Sequence, residues 1–195
     1  MQQSLLMDDT IRWLLQDADP SLEYQVRRDL LNQPDEETEA LRRKIPSSGW
    51  AKALLDERKG SGHWGGGYRK GEIAQALGEA VEFILRHRLC RSERTGETIR
   101  DEFFRFPFPI RWKYDILRCL DLFRKFGLPY DVRMDDALDF IAGAAGRKGR
   151  WKAASQPGKT YFVMEKNGSE GKWNTLRALR VLAHYAGAGK MEKRK

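Results

Sequence analysis

Asp135-Asp136-Ala137-Leu138-Asp139 is the densest group of reactive side chains in the chain. On a helix, Asp135 and Asp139 share one face, as joint binding of a divalent cation such as Mg2+ requires. A simpler reading needs no metal: acids in a first helical turn offset the helix dipole, and this is the preferred one. With Asp115, these three acids are the candidate catalytic residues. Asp131-Val132-Arg133-Met134-Asp135-Asp136 comes nearest to a D-x-D-D acid motif but has the wrong spacing. His63, His87 and His184 lie far apart in no ligand spacing, so no metal set is predicted. Neither Cys90 nor Cys119 belongs to a C-x-x-C pair, and Cys119 falls beside the apolar positions of its helix and reads as core.

Cations and aromatic rings alternate from Phe104-Arg105-Phe106 to Arg111-Trp112-Lys113-Tyr114. Such a run can stack bases and hold phosphates. It can equally fill a core with rings while the arginine stems reach outward, and packing is the preferred reading. Arg118, Lys159, Asn174, Arg177 and Arg180 fall at helix starts or on one stripe of the last helix. The N-terminus of that helix suits an anion, although an exposed face is the simpler expectation for any single arginine. The candidate ligand-binding residues are therefore Trp112, Tyr114, Arg118, Lys159, Trp173, Asn174 and Arg177.

Helices must position these residues. Leu5–Gln16 is a short apolar-rich segment, and Asp19-Pro20 reads as an N-cap with proline in the first turn. Leu22, Val26 and Leu30 then mark an amphipathic helix ending near Asn32. Pro34 opens another, with acids in its first turn and Arg42-Arg43-Lys44 in its last. Pro46-Ser47-Ser48 breaks it before a short helix over 50–57. The glycine-rich stretch 60–67 is no helix interior. Further helices are predicted over 72–87, 113–126 and 131–142, with a last one after Trp173. Between Cys90 and Arg111 lies a long connection whose Pro107 and Pro109 suggest an extended, packed segment. Tyr161–Met164 reads as a short extended piece.

The 195 residues favour one domain over 1–195, closed by a basic tail at about 188–195. Apolar residues at 41% suffice for a core, and charged residues reach 33%. The net charge of +8 favours anionic partners without naming one. No signal peptide and no bilayer-length apolar run is visible, so a cytoplasmic, soluble protein is expected. The two cysteines fit a reducing compartment.

Three segments share an apolar run, a basic glycine loop and a Gly-x-Trp turn. They end in Gly62-His63-Trp64, Gly149-Arg150-Trp151 and Gly171-Lys172-Trp173. Glycine permits a tight turn at positive φ, and the indole then plugs the space between helices while its N–H bonds a carbonyl. Further segments are Arg12-Trp13-Leu14-Leu15, Gly65-Gly66-Gly67-Tyr68, Phe106-Pro107-Phe108-Pro109 through Arg118, Pro157-Gly158-Lys159-Thr160, and Trp173-Asn174-Thr175-Leu176-Arg177. In these the chain resembles the α/α-toroid superfamily of terpenoid cyclases and protein prenyltransferases, and more closely its small bacterial squalene-cyclase-like or prenyltransferase-like members. The resemblance implies an all-α fold of stacked helical hairpins, a partial or shortened toroid. The glutamine usual in the cyclase repeat is replaced by Asp56-Glu57-Arg58-Lys59 or Ala144-Ala145-Gly146. The zinc set of the prenyltransferases has no counterpart.

Three functions follow as expectations. The first is a non-catalytic helical-repeat binding or scaffold protein without cofactor, whose partner is an anionic or apolar small molecule or another protein. The second is an enzyme acting on an isoprenoid or other anionic apolar substrate, the only reading in which Mg2+ enters. The third is a nucleic-acid-binding helical repeat. A monomer or a homodimer suits each.

Overall fold

A computed structural model describes residues 2–56, 73–155 and 163–185. They are helical, and no strand occurs among them; extended pairing is confined to isolated bridges such as Arg91 with Thr98 and Lys152 with Glu170. No helix among the described residues is long and apolar enough to cross a membrane. The sequence suggests one domain over 1–195; in space the chain divides into two compact units, Met1–Ile73 and Ala74–Lys195.

The first unit holds α1 (Gln2–Leu15), α2 (Pro20–Asp29), α3 (Asp35–Lys44) and α4 (Gly49–Asp56). Helix α2 packs against the other three and buries Leu22 and Val26. Asp19 caps two helices at once. Its Oδ1 accepts from Ser21 N at 2.8 Å and its Oδ2 from Trp50 N at 2.6 Å. The approach requires glycine at 49: φ is +64°, and a Cβ would lie 1.9 Å from Asp19 Oδ2.

The second unit holds α5 (Ile73–Arg86), α6 (Ile116–Lys125), α7 (Asp135–Gly143) and α8 (Lys172–Tyr185). Helices α6, α7 and α8 pack on one another around Ile116, Leu117, Leu120, Met134, Ile141 and Val181. Helix α6 starts three residues later than the pattern predicts because Asp115, extended at φ −147°, caps it by accepting from Arg118 N at 2.7 Å. A 3-10 turn, Val132–Met134, precedes α7, with Asp131 accepting from Arg133 N at 2.8 Å. The expected extended piece at 161–164 is not found where it is described: Met164 lies in a bend, and 161–162 fall outside the described residues.

The Gly-x-Trp turns prove unlike one another. Gly149 takes φ +66°. Trp151 then plugs the core, donating its Nε1–H to Ile141 O at 2.7 Å and its backbone N–H to Thr175 Oγ1 at 3.0 Å. One residue thus joins the end of α7 to the start of α8. At Gly171 the need is room: an added Cβ would lie 2.9 Å from Ala153 N. Trp173 sits inside the first turn of α8 and stacks on Phe108, with centroids 4.8 Å apart and planes 9° from parallel. Gly62-His63-Trp64 lies outside the described residues.

Candidate functional site

A groove of about 310 Å³ runs between α5 and α6. Ala80, Val81 and Ile84 form one wall, and Leu122, Phe123, Phe126 and Leu128 the other. Trp112, Tyr114 and Arg118 line it too, so three of the ligand-binding candidates gather here. The strong amphipathicity of α6 buries Leu120 and Phe123 but leaves Leu122 and Phe126 exposed at the rim. Arg118 reaches back over the first turn of α6, its Nη1 donating to Arg111 O at 2.5 Å and Lys113 O at 3.1 Å. That fixes the 111–113 segment, from which Trp112 projects with 79% of its surface exposed. Tyr114 donates to Leu89 O at 2.7 Å and meets Phe103 edge-on. Burial pushes the Cys119 thiol up to about 12 and raises the Tyr114 phenol well above its ordinary value.

Three other candidates form a buried polar centre under α8. Asn174 donates through Nδ2 to Phe106 O at 2.6 Å and Lys152 O at 2.9 Å, and its Oδ1 accepts from Arg177 Nη1 at 3.2 Å. Arg177 Nη2 lies 3.6 Å from Asp115 Oδ1, with the two side chains 2% and 1% exposed. Asp115 Oδ2 and Arg177 Nε and Nη2 have no hydrogen-bond partner among the described residues. Burial raises the Asp115 carboxyl above its ordinary range and lowers the Arg177 guanidinium, each effect offset in part by the other's charge. The expectation of an exposed arginine face on α8 is thereby corrected. Spacing places Arg177, Arg180 and His184 together but does not say which way the stripe turns. Arg177 faces inward, Arg180 pairs with Asp121, and only His184 is exposed.

The anion pocket expected at the start of α8 is also corrected. The chain supplies its own anion: Glu165 Oε1 accepts from Lys172 N at 2.5 Å and from Trp173 N at 3.3 Å. Burial raises the Glu165 carboxyl above its ordinary range, with these donors opposing the shift. Glu165 and Asp121 are hydrogen-bond partners that the sequence does not single out; for Glu165 the one signal is an acid seven residues before a helix start, and that signal is common.

The acidic motif on α7 is divided among separate partners. Asp136 accepts from Arg91 Nε at 2.5 Å and from Arg88 Nε at 3.2 Å. Asp135 accepts from Tyr130 at 2.6 Å, and Asp139 is exposed. These residues do not fit a shared Mg2+ set, and no group of three or more His, Cys, Asp or Glu that could hold a metal occurs among the described residues. Lys159 and His63 lie outside the described residues; His87 Nδ1 sits 2.8 Å from Phe83 O.

Charge is distributed unevenly between the units. Met1–Ile73 has 11 Lys and Arg against 13 Asp and Glu, hence −2, whereas Ala74–Lys195 has 25 against 15, hence +10. No family model, curated protein or solved structure matches this chain.

Proposed function

We propose that this chain is a non-catalytic helical-repeat binding protein whose second unit takes an apolar small molecule in the groove between α5 and α6. The observation that carries this reading is the chemistry of the walls. They are hydrocarbon and aromatic, with one guanidinium, Arg118. The described lining includes no carboxylate and no imidazole; besides Arg118 its titratable groups are Tyr114 and Cys119, and burial raises both away from neutral pH. General acid–base work near neutral pH needs a group titrating near that pH. Binding needs only a concave apolar surface with a few fixed polar points, and 310 Å³ lies at the small end of such sites. The toroid-type likeness is supported by the turn at Trp151, which ties α7 to α8 as a hairpin repeat requires.

Calorimetric titration with a hexanol-to-decanol series tests the proposal. Each added methylene should tighten binding about four-fold, from about 0.8 kcal/mol per buried CH2. Leu122→Asp, at an exposed rim position, should remove binding while the helical circular dichroism is retained. The alcohols should be recovered unchanged. No saturable binding, or binding that survives Leu122→Asp, counts against the groove.

The charge division favours nucleic acid as a second reading. The +10 unit presents exposed Trp112 with Lys113 Nζ 5.5 Å from its ring centroid, a surface able to stack a base beside a cation. Binding of a single-stranded oligonucleotide should then fall steeply with salt and weaken in Arg111→Glu. Flat titrations near physiological salt would exclude it.

A further inference from the structure

We infer that the molecule held in this groove is a chain with a carboxylate end, whose head lies across Trp112 in a second cleft. The inference rests on the groove reading above and adds the class of ligand. The second cleft, of about 280 Å³, is lined by Arg100, Glu102, Phe103, Trp112, Lys113 and Tyr114. Trp112 and Tyr114 line both cavities, so the two clefts adjoin along these rings. One side of that partition is hydrocarbon and aromatic apart from Arg118, whose Nη1 is already spent on the Arg111 and Lys113 carbonyls, and the other carries two cations and one carboxylate. This is the division of an amphiphile: a tail against α5 and α6, a head beside Arg100 and Lys113.

The head follows from the charges. Arg100 and Lys113 against Glu102 leave one excess positive charge in the cleft. A carboxylate brings one negative charge and two acceptor oxygens, which suit the paired N–H groups of a guanidinium. A dianion would exceed the single positive charge that the cleft has in excess. A quaternary ammonium would meet two cations. An uncharged head would gain neither interaction. Lys113 is already drawn to the partition, with its ammonium over the Trp112 ring. The exposed indole itself is a large apolar surface that a chain crossing from one cleft to the other would cover.

Four probes of matched chain length test this on the full chain: decanoate, decanol, decyl phosphate and decyltrimethylammonium, titrated by calorimetry at pH 7.5. Decanoate should bind about ten-fold tighter than decanol, as one charge-assisted pair at a partly exposed site supplies. The ammonium should bind weakest. The decanoate-to-decanol ratio should fall to near one in Arg100→Gln and rise in Glu102→Gln. Equal binding of decanoate and decanol by the unaltered protein overturns the carboxylate head and leaves the groove reading standing. Decyl phosphate binding tighter than decanoate overturns it as well, in favour of a dianionic head. If none of the four binds, the groove reading and this inference fall together.

Discussion

Asn174→Ala is the sharpest test of how the second unit is held together. The residue is fully buried, and its amide orientation is unambiguous because two carbonyls face its nitrogen and a guanidinium faces its oxygen. Truncation strands Phe106 O and Lys152 O and removes the acceptor of Arg177 Nη1. A buried polar group left without its partner costs about 1–3 kcal/mol, and more when charged. The three losses share one site and will not add fully. A destabilisation of about 3–6 kcal/mol is expected, a large part of the stability of a typical domain. Equilibrium urea unfolding at pH 7 measures it, with circular dichroism for helix content and indole fluorescence, to which Trp151 and Trp173 beside the site contribute among the six tryptophans. Asn174→Asp separates the two contributions. It keeps an acceptor for Arg177 but has no N–H for the carbonyls, so at pH 7 it should be at least as damaging as alanine. Its penalty should shrink at low pH, where a protonated carboxyl can donate once. A loss below about 1 kcal/mol for Asn174→Ala, or a gain for Asn174→Asp, would refute the view that Asn174 acts as a donor clamp rather than as a counter-charge holder.

Three further outcomes are expected. Arg177→Met should cost about 3–5 kcal/mol by leaving the buried Asp115 carboxylate with its cap hydrogen bond from Arg118 N but without its paired guanidinium, whereas Asp115→Asn with Arg177→Met should cost less than the sum of the single changes in a double-mutant cycle. Trp151→Phe should lose about 1 kcal/mol or more, because Ile141 O forfeits its donor while most of the ring remains; an unchanged urea midpoint would contradict the tie between α7 and α8. The Asp136 carboxyl is lowered from 3.8, chiefly by its hydrogen bond from Arg91 and then by Arg88. Its contribution is therefore present above that value and lost as pH falls below about 4, so Asp136→Asn should flatten the acid limb of a stability–pH profile and change little in the shape near pH 7.

Much of the fold was legible because helix ends are written in local chemistry. Asp19-Pro20 and Pro34 with its following acids each act within a turn of their own position, and the structure places α2 and α3 accordingly. The errors are of another kind. Arg177 and Arg180 were correctly placed on one helical stripe, yet a stripe has no inward direction until a partner helix supplies one. Asp121 on α6 and Asp115 at its cap are those partners, 59 and 62 residues earlier in the chain. The α8 N-terminus was correctly read as attractive to anions, but Glu165 already meets that need. The division into two units falls at the start of α5, inside a predicted helix, a few residues after the glycine-rich stretch 60–67 and where the net charge of the chain changes sign.

The tryptophans carry the same distinction into function. Trp151 and Trp173, which the Gly-x-Trp grammar marks out, are buried and spend their rings on packing. Trp112 follows no such turn and stands in water beside two clefts. An arginine staple holds its segment in place from below. The turns at Trp151 and Trp173 differ, yet both indoles are consumed by packing, Trp151 against the end of α7 and Trp173 against Phe108. A ligand site needs apolar surface that packing has not consumed. On this argument Trp112 is the residue to follow. Trp112→Ala should leave the unfolding free energy from urea titration within about 0.5 kcal/mol, as expected for an exposed position, while weakening decanoate binding in the calorimeter. A variant that unfolds readily but binds decanoate as before would show that the ring serves the fold instead.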